Sequence, residues 1–210
     1  MVIDGRLQRG ERTRRAVLDT AVELASVEGL EGLSLARLAQ TRGVSKSGLF
    51  AHWPDKQSLQ LAIVEHARQQ WVEFIVEPAL HAPKGVRRLL ALHELRLDFY
   101  TSRRLPGGCF FRAVDGEFDD RPGPVHDAIA AAIDDWMNLL AELVRRAVDL
   151  GQLRPQTDPH QLAFEIEALG ATVIVHTHLL QREHSYSHAR RAVLDRLRAL
   201  ATDPSILPEA

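Results

Sequence analysis

The chain has 210 residues, 45% of them hydrophobic, with 26 basic against 28 acidic side chains. That suffices for a buried core with a small appended domain, and the slightly acidic balance argues against a protein that merely coats nucleic acid. No apolar run approaches the ~20 residues that cross a bilayer, the start MVIDGRLQRGERTRR lacks a signal peptide's apolar stretch, and a single cysteine excludes an internal disulfide, so a cytoplasmic location is expected.

The first predicted element is a helix over Thr13 to Glu28, where Val17, Ala21, Leu24, Ala25 and Glu28 recur at helical spacing. The stretch Glu28-Gly29-Leu30-Glu31-Gly32-Leu33 closes it. Ser34 then offers an acceptor to the free amides of a short helix beginning at Leu35, in which Leu35, Leu38 and Ala39 share a face. Gly43 suits a left-handed turn, Val44 returns the chain to the core, and Ser45 caps a third helix from Lys46. Leu49 faces inward beside Leu38 and Val44, while the small Ala39 lets the two helices cross closely. Lys46, Ser47, Phe50 and Ala51 are left outward. They supply a charge, a hydroxyl, an aromatic face and a methyl, the groups that reach phosphates and base edges in a major groove. The same pattern also fits an ordinary helical hairpin. Trp53-Pro54-Asp55-Lys56 ends the third helix and opens a long one, with a proline and an acidic cap at its start. Residues 1 to 56 hold 9 of the 26 Lys/Arg and 7 of the 28 Asp/Glu, leaving 17 against 21 beyond, so the small basic surplus sits at the amino end.

The run from Arg12 to Leu61, and above all GVSKSGLFAHWPDKQSL, resembles the amino-terminal DNA-binding domain of the TetR/AcrR family of bacterial regulators. Phe50 stands where that family usually has a tyrosine, which removes a phenol hydroxyl and leaves stacking on the sugar-phosphate backbone. The resemblance implies an all-α fold of about nine helices: a three-helix DNA-binding domain over 1–56 with its motif at 34–53, and an effector-binding and dimerisation domain over 57–210. It further implies a homodimeric, ligand-responsive repressor that binds double-stranded DNA at a palindromic operator, with its two reading helices about one turn, ~34 Å, apart. In that reading Ser34, Arg37, Ser45 and Lys56 meet phosphates, while Lys46, Ser47, Phe50 and His52 meet the groove or its rim. No cofactor, metal or membrane partner is expected.

Beyond Lys56 the chain reads as helices separated by Glu77-Pro78, Ala82-Pro83-Lys84-Gly85, Leu105-Pro106-Gly107-Gly108, Arg121-Pro122-Gly123-Pro124 and Arg154-Pro155 to Asp158-Pro159. Val125 to Val148 aligns Ile129, Ala132, Ile133, Trp136, Leu140, Leu143, Val144 and Ala147, and Leu162 to Leu180 aligns Ile166, Leu169, Gly170, Val173 and Thr177. The last two helices, about 158–181 and 185–201, are those through which the family dimerises. Ala163, Ala168, Gly170 and Ala171 permit close approach there, and Leu194, Leu197 and Leu200 supply apolar area, for a second copy or for packing within one chain. Trp71, Phe74, Phe99, Phe110, Phe111 and Trp136 are candidates for a pocket taking an apolar or aromatic effector, and equally for plain core.

Cys109, with Arg112 nearby, fits either a thiolate sensor or a small buried hydrophobe. Spacing argues against metal at His176 and His178, which point to different sides of a helix, and no acid or thiol completes a shell around His184 and His188. No phosphate loop or nucleophile elbow is present, and Glu117, Asp119 and Asp120 read as a solvated acidic loop. The competing functions are a helical small-molecule or partner-binding module without DNA binding and, less favoured, an enzyme.

Overall fold

A computed structural model describes residues 5–43, 45–182 and 184–209, with side chains from residue 10 onward apart from Lys46. Its helices are α1 (Gly5–Glu28), α2 (Leu35–Arg42), α3 (Lys46–His52), α4 (Lys56–Trp71), α5 (Glu77–Ala79), α6 (Val86–Thr101), α7 (Phe110–Phe118), α8 (Pro124–Asp149), α9 (Pro159–Ile174) and α10 (Ser185–Leu200). A π turn over Val72–Val76 joins α4 to the three-residue α5, which leaves nine helical rods among the described residues. No strand occurs among those residues, only one antiparallel bridge between Leu153 and Ala201. The all-α expectation holds.

Two compact units are present, one formed by 1–69 with 105–130 and the other by 70–104 with 131–210. In the first, α1 packs against α7 and α2, and α2 against α3. Helix α1 begins at Gly5, well before the predicted Thr13, because the segment GRLQRGER is mostly good helix formers and Gly10 is tolerated within it. Its buried side is Val17, Leu18, Ala21, Val22 and Ala25, all at most 4% exposed. The 105–109 turn lies directly on the end of α1: the Gly107 amide donates to Ser26 Oγ at 3.1 Å, and no Cβ fits at Gly107. Glu117, expected in a solvated loop, is in α7, where its carboxylate accepts from the Leu30 amide at 2.7 Å and the Glu31 amide at 3.3 Å. A contact 87 residues away in sequence is invisible to local pattern.

In the second unit α6 packs on α9 and α10. Leu194 and Leu197, offered above to a partner chain, are fully buried within this one, and Ala163 is 1% exposed. Gly170 makes room for Arg96, whose guanidinium fills the space its Cβ would take. The large apolar side chains left outward on α9 and its π extension Val175–Leu179 are Phe164 at 62%, Val175 at 44% and Leu179 at 75% exposure. The span Pro159–Leu179, 21 residues with mean hydropathy 1.2, is long and apolar enough to cross a membrane by length and composition. The sequence reading missed it by seeking an uninterrupted run, whereas Glu165 and Glu167 interrupt a segment whose average still passes. Pro78 also proves not to break the chain: the π turn ahead of it shifts the hydrogen-bond register where proline offers no N–H, and the rod runs on to Ala79.

His93 on α6 is 1% exposed, with Nε2 3.3 Å from the Ala189 carbonyl. Burial, reinforced by the charges of Arg96 and Arg190, lowers its pKa from 6.5 to about 3. The unfolded chain takes up this proton below pH 6.5 while the folded one refuses it, so stability falls as pH drops through that window, by roughly 1.4 kcal/mol per unit. Urea titrations between pH 7 and 4.5 should show that slope in the wild type and a shallower one in His93→Gln; equal slopes would assign the effect to other groups.

Candidate nucleic-acid interface

The motif is built from caps. Ser34, extended at φ −129° and ψ 153°, accepts from the Arg37 amide at 3.2 Å and starts α2. Helix α2 ends at Gly43, left-handed at φ 64°, with its amide returned to the helix carbonyls. Ser45 accepts from the Gly48 amide at 3.1 Å and starts α3, and the Trp53 amide closes α3 on the Leu49 carbonyl at 2.9 Å. Asp55 and Ser58 cap α4 reciprocally, Ser58 N to Asp55 Oδ1 at 2.7 Å and Asp55 N to Ser58 Oγ at 3.3 Å. Leu35, Leu38, Ala39 and Leu49 are buried beneath this frame, as their spacing requires. Val44 lies outside the described residues, and so does the side chain of Lys46.

Of the residues assigned to DNA, Ser47, Phe50 and His52 are exposed on α3, Phe50 at 43%, and Ala51 is exposed beside them. Arg37 is exposed too, though its guanidinium sits 3.1 Å from Glu28 Oε1. Lys56 is differently placed. Its ammonium donates to the Glu31 carbonyl at 2.7 Å and to Glu31 Oε1 at 2.8 Å, tying the start of α4 to the loop before α2. The Lys56 hydrogen bond holds the Glu31 carboxyl below its ordinary range. A phosphate contact from Lys56 therefore has to compete with Glu31.

One feature of this face escaped the sequence reading. A cleft of about 290 Å³ opens between α1 and α3, lined by Thr13, Arg14, Val17, Ser45, Gly48, Leu49, His52 and Trp53. The Arg14 guanidinium lies over the Trp53 ring at 5.8 Å, and the His52 ring is 5.6 Å from it. Arg14 precedes Trp53 by 39 positions, so only the packing of α1 on the motif brings the two together.

The six aromatic candidates for an effector pocket divide. Trp71, Phe74, Phe99 and Trp136 form one cluster in the second unit, Trp71 meeting Trp136 edge-on at 5.2 Å and Phe99 at 5.8 Å, with Phe74 stacked on Phe99 at 6.3 Å. Tyr100, not singled out from sequence, joins at 6.2 Å from Trp71. Arg104 covers Phe74 at 3.8 Å, and the Trp136 indole donates to Glu167 Oε2 at 2.7 Å. Phe110 and Phe111 belong to α7 in the first unit, where they pair edge-on at 5.3 Å. Cys109 is the residue preceding α7 and is 3% exposed, while Arg112 is turned to Asp115. Burial of that thiol matches the small-hydrophobe reading.

The family described as "Bacterial regulatory proteins, tetR family" matches residues 17–63, and "Tetracyclin repressor-like, C-terminal domain" matches residues 85–193. The HTH-type transcriptional regulator SrpR of Pseudomonas putida is 23% identical over 148 residues, covering 68% of this chain and 64% of that protein. The chain thus spans slightly under two thirds of that relative's length. A crystal structure of a TetR transcriptional regulator from Chloroflexus aurantiacus J-10-FL superposes with a TM-score of 0.84 at 23% identity, over 92% of this chain and 98% of that one. The structure of AibR in complex with isovaleryl coenzyme A and operator DNA superposes with a TM-score of 0.65 at 21% identity, over 89% and 96% of the two chains.

Proposed function

The chain belongs to the TetR family of bacterial regulatory proteins, and from that premise we propose that it is a cytoplasmic, homodimeric repressor released from a palindromic operator by a small effector. The observation that carries the DNA-reading part is the disposition of α3: two serine-capped helices turn at a left-handed Gly43, Leu49 is 2% exposed, and Ser47, Phe50 and Ala51 face out. Residues 1–56 are the reading head and 57–210 the effector and dimer body. Ser47, Phe50, His52 and Lys46 serve the groove, while Ser34, Arg37 and Ser45 serve phosphates, their hydroxyl protons and guanidinium being donors. Lys56 joins them only where a phosphate outbids Glu31. Selection of bound sequences from random duplex DNA tests this directly. A twofold-symmetric site should be enriched, and candidate effectors should abolish that enrichment; no enriched site overturns the reading.

The outer face of α9 supports the dimer. Phe164, Val175 and Leu179 are exposed on a helix whose apolar composition otherwise suits burial, and large apolar side chains left outward in this way favour an interface. Phe164→Glu should leave the melting temperature of the chain little changed and shift it to monomer in sedimentation velocity, with loss of tight operator binding. A dimer that survives the substitution would move the interface off this face.

The effector is apolar or aromatic, as the Trp71, Phe74, Phe99 and Trp136 cluster favours, and it acts only by binding more tightly where the two heads misfit the operator. The chain is not an enzyme in this reading. A helical ligand-binding module without DNA binding is the second reading, favoured by the engagement of Lys56 with Glu31 and of Arg37 with Glu28.

A further inference from the structure

Trp53 is 2% exposed, and its indole Nε1 has no hydrogen-bond partner. A buried N–H without an acceptor is costly, and native proteins seldom leave one without reason. Trp53 lines the cleft between α1 and α3, and so do Arg14, Ser45 and His52. The Ser45 hydroxyl oxygen accepts from the Gly48 amide and from Ser47 Oγ at 3.4 Å, so its own proton is free to be donated. None of the eight lining residues is acidic. Arg14 Nη1 lies 4.0 Å from Glu11 Oε2, on an exposed side chain. The cleft thus combines the Arg14 guanidinium, the Ser45 hydroxyl and an indole donor that lacks an acceptor, on the head that carries α3.

We propose that this cleft seats one backbone phosphate of the bound duplex, with Arg14 supplying charge and Ser45 and the Trp53 indole N–H supplying neutral donors. The inference rests on the DNA-binding reading and adds a grip on α1 to the contacts of α3. The Arg14 guanidinium lies 5.8 Å from the centre of the indole ring, and the phosphate provides the acceptor that the N–H lacks. Such a contact fixes the height of α3 in the groove without reading sequence.

The test uses the full chain, a fluorescein-labelled duplex of generic sequence and, separately, inorganic phosphate. Three indole cross-peaks arise from Trp53, Trp71 and Trp136, and Trp53→Phe identifies the first while keeping the ring. Titrating duplex should shift the Trp53 indole peak and slow its exchange, leaving the other two unmoved. By anisotropy, Trp53→Phe should weaken every duplex roughly tenfold with the salt slope intact. Arg14→Gln should weaken binding and lower the salt slope by about 0.9 for each bound head. Thermal melting checks that both variants fold, and if Trp53→Phe does not, Trp71→Phe and Trp136→Phe assign the Trp53 peak by elimination. Duplex binding with an unmoved Trp53 peak and unchanged variants overturns the phosphate seat alone. A peak that answers inorganic phosphate and not duplex reassigns the cleft to a free anion and overturns it too. Flat anisotropy for the wild type sinks the DNA-binding reading and this inference with it.

Discussion

Arg96→Ala is expected to destabilise the second unit by about 3 kcal/mol, the low end of the range for removing one partner of a buried ion pair, because the Glu167 side chain keeps 29% exposure. Arg96 is 1% exposed. Its guanidinium pairs with Glu167, donates to the Ile166 carbonyl at 2.8 Å and lies 5.5 Å from the centre of the Trp136 ring, while Glu167 also accepts the Trp136 indole. Alanine leaves a cavity, strips Glu167 of its charge partner and takes from the Ile166 carbonyl its donor beyond the helix. Arg96→Met with Glu167→Gln should be much milder, since volume is kept and no charge stays unpaired. Gly170 gives an independent check, because an added Cβ would lie 1.4 Å from an Arg96 nitrogen. Gly170→Ala should therefore be destabilising alone and neutral or favourable on top of Arg96→Ala, where the guanidinium is gone and alanine's helix preference of ~1 kcal/mol remains. Urea unfolding of the four proteins reads the cycle. Additive effects would mean that the two residues do not share this space.

Arg96 also marks the limit of what the sequence discloses. The caps at Ser34 and Ser45, the left-handed Gly43 and the inward Leu38 and Leu49 were legible, because each depends on neighbours close in the sequence. The long helices were legible too, from apolar recurrence. An arginine in the middle of LLALHELRLDFY gave no sign of being among the most buried side chains of the chain, for its partners are on α9, some 70 residues on. The Glu117 hold on Leu30 and the Arg14–Trp53 contact are hidden for the same reason. Of the site, therefore, the outward residues of α3 could be read, while the part contributed by α1, and Lys56's engagement with Glu31, had to await the fold.

The second large effect concerns the seam between α1 and the turn before α7. Gly107→Ala should lower stability by about 3 kcal/mol or more, as overpacking against backbone does, and depress the melting temperature by several degrees. An added Cβ there would sit 1.7 Å from the Ser26 carbonyl oxygen and 2.4 Å from its carbon. Neither is a side-chain tip that can swing aside, so α1 and the 105–109 turn must part. Parting them also strains the Gly107 amide bond to Ser26 Oγ and, at the far end of α7, the Glu117 contact with the Leu30 and Glu31 amides. Those amides open the loop that leads into α2, so hydrogen exchange at Leu30 should quicken and DNA affinity should fall although residue 107 lies outside the 34–53 motif. Gly116→Ala, on α7 itself, is the opposite case. Its Cβ would meet nothing within 4 Å, and its backbone is ordinary helix, so the gain in helix preference should raise stability by roughly 0.5–1 kcal/mol. Opposite signs from the same substitution nine positions apart would locate the rigid seam at the turn. A Gly107→Ala protein that melts and binds like the wild type would show that α1 is not held there.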